Sequence, residues 1–256
     1  MLESFSKRTF TAPLADGTSV SHDVYSKGES PGCVVILQEL PGIGPETLSL
    51  ADSFVHRGFR VVLPHLFGPL GRISLLGNML RVMCLRREFA LFEANKSSPI
   101  VDWLRALCAD LKRQEDISGI GVIGMCLTGN FAISLMVEEG VLAGVASQPS
   151  MPLFKQQDLH LSASEIADAR EALDEKGPML AMRFVGDPLC RAEKYAAIDQ
   201  AFNDDRTRIK LIEIPGKGHS VLTLDFIKGG EPAQAALDQV FAYFDAQLKT
   251  QVQSAG

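Results

Sequence analysis

The 256-residue sequence has no Lys/Arg block, no CxxC pair, no internal repeat, no low-complexity tract and no apolar run long enough to span a bilayer. Each absence removes a class of function. Without a basic stripe, and with a net charge of −6, neither nucleic acid nor a membrane surface is expected as a main partner. The most apolar stretch, residues 73–85, is broken by Asn78 and Arg81 and is shorter than the ~20 residues that a spanning helix needs. Residues 1–10 carry charges and no apolar core, so a secretory signal is not expected. The five cysteines, at 33, 84, 108, 126 and 190, are odd in number and scattered, with no histidine at ligand spacing. Neither a disulfide framework nor a zinc site is indicated, and a reducing cytoplasm is the expected location.

What is present suits one folded unit. Hydrophobic residues make up 46% and charged residues 22% of the chain, and a chain of this length buries a large core without staples. Residues 18–25 alternate in strand fashion and are expected to pair with residues 9–13 as an antiparallel edge. From there strands and helices alternate. CVVILQ at 33–38 is an apolar run of the kind that parallel sheets bury on both faces. Residues 46–57 have helical periodicity closed by Gly58, and 59–63 reads as a strand stopped by Pro64. Ser98 and Pro99 open a helix to about residue 113. Further strands are expected at 119–123, 141–147, 179–185 and 208–214, and helices at 129–138, 191–203 and 232–249. Two irregular stretches, a Leu/Met-rich lid-like segment at 68–95 and a polar one at 149–177, are expected over the carboxyl edge of the sheet. The expected class is three-layer α/β with a mostly parallel central sheet, formed as a single domain over 1–256.

The densest chemical signal is IGVIGMCLTG at 120–129. A short apolar strand runs through a tight turn into a helix, with Cys126 at the apex, in the layout of a nucleophile elbow. Gly124 fills the first small position; Thr128 stands at the second, with Gly129 one residue late. Read alone, the motif equally describes a buried structural cysteine. The rest of the chain decides between them. In an α/β-hydrolase the order is nucleophile, acid, histidine. Of the five histidines only His219 follows the last expected strand, in the loop PGKGHS at 215–220. The strand at 179–185 ends in Gly186 and Asp187. Cys126, Asp187 and His219 therefore stand in the required order at the ends of strands.

Taken with QEL at 38–40 and Gly42, PHLFG at 64–68, GMCL at 124–127, Gly186-Asp187 and GHS at 218–220, the sequence resembles the dienelactone hydrolase family of α/β-hydrolases over nearly its whole length. The resemblance implies an enzyme cleaving a small-molecule ester or lactone with no cofactor or metal; a monomer or small homo-oligomer is expected. Cys126 would attack the carbonyl, His219 would act as base and acid, and Asp187 would orient its ring. Glu39 would meet the resting thiol and help to generate thiolate. The backbone N–H groups of Leu40 and Leu127 would form the oxyanion hole.

Members acting on dienelactone hold a substrate carboxylate with arginines, one of them just after the catalytic histidine. Here SVLTL follows at 220–224, and a hydroxyl such as that of Thr223 cannot supply guanidinium geometry. Arg86 and Arg87 in the lid-like segment, and Ser220, are the remaining candidates for substrate contact, although the arginines also fit a solvated helix face paired with Glu88 and Glu93. The apolar lid suits a less polar substrate. A non-catalytic ligand-binding protein and a thiol redox sensor are the competing readings.

Overall fold

Two antiparallel strands open the chain, β1 (Ser6–Pro13) and β2 (Ser19–Lys27), with Thr9 opposite Asp23 and Pro13 opposite Ser19. The computed structural model describes residues 2–13, 17–72, 74, 99–114, 117–152 and 155–249. Repeated strand–helix units follow: β3 (Gly32–Ile36), α1 (Pro45–His56), β4 (Arg60–His65), α2 (Pro99–Lys112), β5 (Gly119–Met125), α3 (Gly129–Leu135), β6 (Val141–Ser147), α4 (Ala163–Lys176), β7 (Met179–Phe184), α5 (Ala192–Phe202), β8 (Ile209–Ile214) and α6 (Phe226–Phe244). The eight strands form one sheet in the order β1-β2-β4-β3-β5-β6-β7-β8. β2 runs antiparallel to β4, and every pairing from β4 across to β8 is parallel.

Alternation along the strands divides the core into two layers. Cys33 and Val35 face the side of the sheet covered by Trp103, Leu104 and Leu107 of α2 and by Phe131 of α3. Val34 and Ile36 face the other side, with Phe54 of α1 and Phe244 of α6. Burial of each such large side chain contributes roughly 1.5–3 kcal/mol. The layers are those that the strand–helix alternation predicts.

Three local expectations need correction. Pro64 does not stop β4; it lies within the strand, opposite Val24 of β2. The parallel pairing of β4 with β3 ends at Val62, so the proline stands where one edge needs no donor. Residues 149–177 are not wholly irregular, because α4 fills their second half. It starts at a capping box in which Ser162 Oγ accepts from Glu165 N–H at 3.2 Å and Glu165 Oε2 accepts from Ser162 N–H at 2.8 Å. α3 ends at Leu135, short of 138, as tighter turns (Met136 N–H to Ile133 O, Glu138 N–H to Leu135 O) lead into β6. The last helix starts near Pro232 as expected; a short helical stretch from Phe226 precedes it, separated from it by Gly230, whose backbone is non-helical (φ 56°).

The parallel strands all deliver their carboxyl ends to one edge. Glu39 follows β3, Cys126 follows β5, the 148–151 loop follows β6, Asp187 follows β7 and His219 follows β8. Since β3, β5, β6, β7 and β8 are consecutive neighbours, five loops converge there.

Candidate active site

The turn after β5 is sharp. Cys126 takes φ 57°, a left-handed conformation that non-glycine residues adopt at some energetic cost. It opens a single 3-10 turn, Cys126–Thr128, that leads directly into α3. A Cβ on Gly124 would stand 2.2 Å from the Thr128 carbonyl oxygen, and one on Gly129 would stand 2.6 Å from Pro149 Cα. The close approaches thus fall at Gly124 and Gly129, which is why Thr128 is tolerated between them. Its hydroxyl has a task of its own: it accepts from Met125 N–H at 3.0 Å and lies 3.2 Å from the Gln38 carbonyl oxygen. Gln38 in turn accepts from Leu66 N–H at 2.9 Å and donates to Phe67 O at 3.0 Å. The β3, β4 and β5 ends are thereby tied together beneath Cys126.

His219 sits in a loop made possible by Gly216 (φ 121°) and Gly218 (φ 145°). Asp225 Oδ2 accepts from the N–H groups of His219 (2.9 Å) and Ser220 (3.2 Å), fixing the loop. The ring Nδ1 lies 2.8 and 2.9 Å from the two oxygens of Asp187. Asp187 is buried, and its Oδ1 also accepts from Leu189 N–H at 2.8 Å and Cys190 N–H at 2.9 Å. Burial disfavours the charged imidazolium, but the Asp187 carboxylate and the Cys126 sulfur outweigh it and raise the His219 pKa to about 10. The imidazole thus has a carboxylate at Nδ1, while its Nε2 is buried without a hydrogen-bond partner among the described residues.

Glu39 is arranged differently. It is almost wholly buried. Ser220 Oγ donates to its Oε2 at 2.7 Å, Thr223 Oγ1 donates to its Oε1, and Gln148 Nε2 donates at 3.5 Å. Burial pushes its carboxyl above the usual range, against the two hydroxyls and His219, which act to lower it. Gln148 takes φ 37°, and its N–H bonds to Met182 O at 2.6 Å. The partner found at the Cys126 sulfur is the Ser150 hydroxyl, 3.4 Å away. The expectation that Glu39 meets the resting thiol is therefore not what is observed, because neutral donors of the 148–151 and 219–223 loops occupy its oxygens.

Comparison with known proteins fixes the family. The model of the dienelactone hydrolase family matches residues 23–247. The chain belongs to the dienelactone hydrolase family. Among solved structures, a dienelactone hydrolase-like promiscuous phosphotriesterase from metagenomic libraries superposes with a TM-score of 0.64 at 16% identity, covering 95% of this chain and 99% of its own. Dienelactone hydrolase from Anabaena variabilis gives a TM-score of 0.61 at 14% identity, covering 96% of this chain and 99% of its own. Carboxyl esterase 2 of the fungus Tuber melanosporum gives 0.61 at 14%, covering 96% and 88%. No curated protein matches the chain in sequence. At these identities the structures establish the α/β-hydrolase fold, and the family model establishes membership of a hydrolase family.

Within that family frame, Cys126, Asp187, His219 and Glu39 converge at one edge of the sheet, with Leu40 and Leu127 next to Glu39 and Cys126 in the chain. Ser220 faces Glu39 and not open space. Arg86 and Arg87, with residues 75–95 of the lid-like segment, lie outside the described residues. Sequence reasoning missed Gln148 and Ser150, and missed the contact of Thr223 with Glu39. A Gln-Pro-Ser turn at a strand end was the available signal, though it names no chemistry. Among the described residues no group of three His, Cys, Asp or Glu side chains is placed to hold a metal ion, and no helix is long and apolar enough to cross a membrane.

Proposed function

We propose that this protein hydrolyses a small, weakly polar carboxylic ester or lactone through a thioester on Cys126. The observation that carries the reading is the convergence of Cys126, strained at the tip of a strand–helix turn, with an imidazole at the same sheet edge whose Nδ1 is held by Asp187 at 2.8 Å and whose Nε2 is buried and unpartnered among the described residues. The raised His219 pKa favours the imidazolium, the partner that a nucleophilic thiolate needs.

The steps follow from that pair. The thiolate sulfur attacks the ester carbonyl, and the charge moves to the carbonyl oxygen. The N–H groups of Leu40 and Leu127 receive that oxyanion, each donor being worth about 3 kcal/mol in comparable sites. His219 then gives its proton to the leaving alkoxide, and the thioester remains. Neutral His219 takes a proton from water, the resulting hydroxide attacks the thioester, and thiolate is expelled beside the regenerated imidazolium. Asp187 keeps the ring in its tautomer and orientation throughout. With no arginine in residues 220–224 after His219, and with Thr223 bonded to Glu39, a substrate without a free carboxylate is favoured.

The redox-sensing alternative needs a resolving thiolate near Cys126. Among the described residues, burial pushes the Cys190 thiol far up, which makes it a poor partner. A panel of chromogenic esters, run on wild type and Cys126→Ala, tests the reading. Loss of hydrolysis by at least roughly a thousandfold in the alanine variant is expected. Wild type that turns over no ester, or an alanine variant matching it, would sink the proposal.

A further inference from the structure

Ser150 has no role in the chemistry above, yet its hydroxyl is the polar group lying 3.4 Å from the Cys126 sulfur, a distance suited to hydrogen bonding with sulfur. Ser150 is fully buried, and among the described residues its Oγ has no other hydrogen-bond partner. A buried hydroxyl is normally satisfied, and a thiolate can only accept, so the pair has one arrangement once the thiol ionises: Oγ–H donating to sulfur.

The placement is built, not incidental. Ser150 N–H bonds to the Cys126 carbonyl oxygen at 3.1 Å, so backbone and side chain both address the same residue. The loop is pinned from several sides: Asn130 Nδ2 donates to Met151 O at 2.9 Å, Lys194 Nζ donates to it at 2.8 Å, and Gln156 Nε2 donates to Ser150 O at 3.4 Å. Gln148 holds a left-handed backbone two residues earlier. Gly129, at the start of α3, has no room for a Cβ against Pro149. Meanwhile Glu39 is engaged by Ser220, Thr223 and Gln148.

Building on the cysteine-hydrolase reading, we infer that Ser150 is a further catalytic residue, whose hydroxyl donates a hydrogen bond to the Cys126 sulfur whenever it carries negative charge. In the first step that bond increases the fraction of thiolate. In the second it stabilises thiolate as the group expelled when the tetrahedral intermediate from the thioester collapses; no proton is transferred to or from Ser150. The titratable groups whose electrostatics involve the sulfur are His219, from the loop after β8, and Cys190, from the loop after β7; Asp187 holds the His219 ring, and Glu39 after β3 lies within the influence of His219.

The test is the pH profile of Cys126 alkylation by iodoacetamide, followed peptide by peptide with mass spectrometry, in wild type, Ser150→Ala, Ser150→Gly and Ser150→Thr. Loss of a hydrogen bond to a charged acceptor should move the profile of the alanine and glycine variants up by about one pH unit. It should also raise the plateau rate at high pH by about threefold, because a less stabilised thiolate is the better nucleophile. Ser150→Thr, which keeps the hydroxyl, should lie near wild type. Melting curves report folding, and two independent deletions of the hydroxyl guard against one that fails to fold. A profile that stays in place in the folded deletion variants overturns the inference, whatever happens to turnover. Alkylation needs no ester hydrolysis, so an unchanged profile in an enzyme whose turnover depends on Cys126 defeats this inference alone, whereas a shifted profile without turnover defeats only the hydrolase reading.

Discussion

Two buried carboxylates stand at the same edge of the sheet, and their surroundings make them different tools. Asp187 faces an imidazole nitrogen with both oxygens and takes two backbone N–H groups besides. Its negative charge has a partner able to become a cation. Glu39 faces two hydroxyls and an amide, all neutral, and burial raises its pKa. Residue type does not separate the two; the partners do. One is arranged to favour charge on its neighbour, the other to tolerate the loss of its own.

The largest expected effect comes from breaking the first arrangement. Asp187→Asn should lower kcat for ester hydrolysis by roughly 10³–10⁴, as the ring loses its tautomer and orientation. It should also flatten a stability profile. His219 is raised from 6.5 to about 10 in the folded protein, so its contribution is fully present below pH about 6.5 and is lost as pH climbs through about 10. Urea midpoints measured from pH 6 to 10 should fall in wild type and fall less in Asp187→Asn. Equal slopes would remove the Asp187–His219 pair from the account.

A smaller effect of opposite sense sharpens the comparison. Glu39 is raised above its ordinary 4.5, so the stability it lends is present below that pH and fades as pH rises through the folded value. Glu39→Gln keeps the shape and removes the charge. At pH 8 the variant should match or exceed wild type in urea stability, by about 1 kcal/mol at most. A marked loss at pH 8 would mean that Glu39 is ionised and matched by a cation, and that the two carboxylates are alike after all.

How far the sequence foretold this site depends on the kind of signal each residue leaves. Cys126, Asp187 and His219 stand at the ends of apolar strands beside glycines, in an order imposed by the fold, so their place at one sheet edge was legible, as was the meeting of Asp187 with His219. Glu39 was legible as a position, but its partners were not. Thr223, Gln148 and Ser150 are short polar residues in loops, where no periodicity marks them and nothing in the chain indicates that they turn inward. α4 announced itself through Ser162 and Glu165 and was lost against a polar background. Pro64 misled because tolerance of a proline depends on which neighbouring strand has already ended, a tertiary fact.

The most direct test of the central claim is to trap the thioester. His219→Ala, mixed with an activated aryl ester and quenched in acid, should accumulate enzyme heavier by one acyl group, with the mass on the peptide that carries Cys126, because activation of water for the second step is lost. An adduct on any other residue, or hydrolysis with no adduct either in the variant or in wild type quenched during turnover, would contradict a cysteine acyl-enzyme.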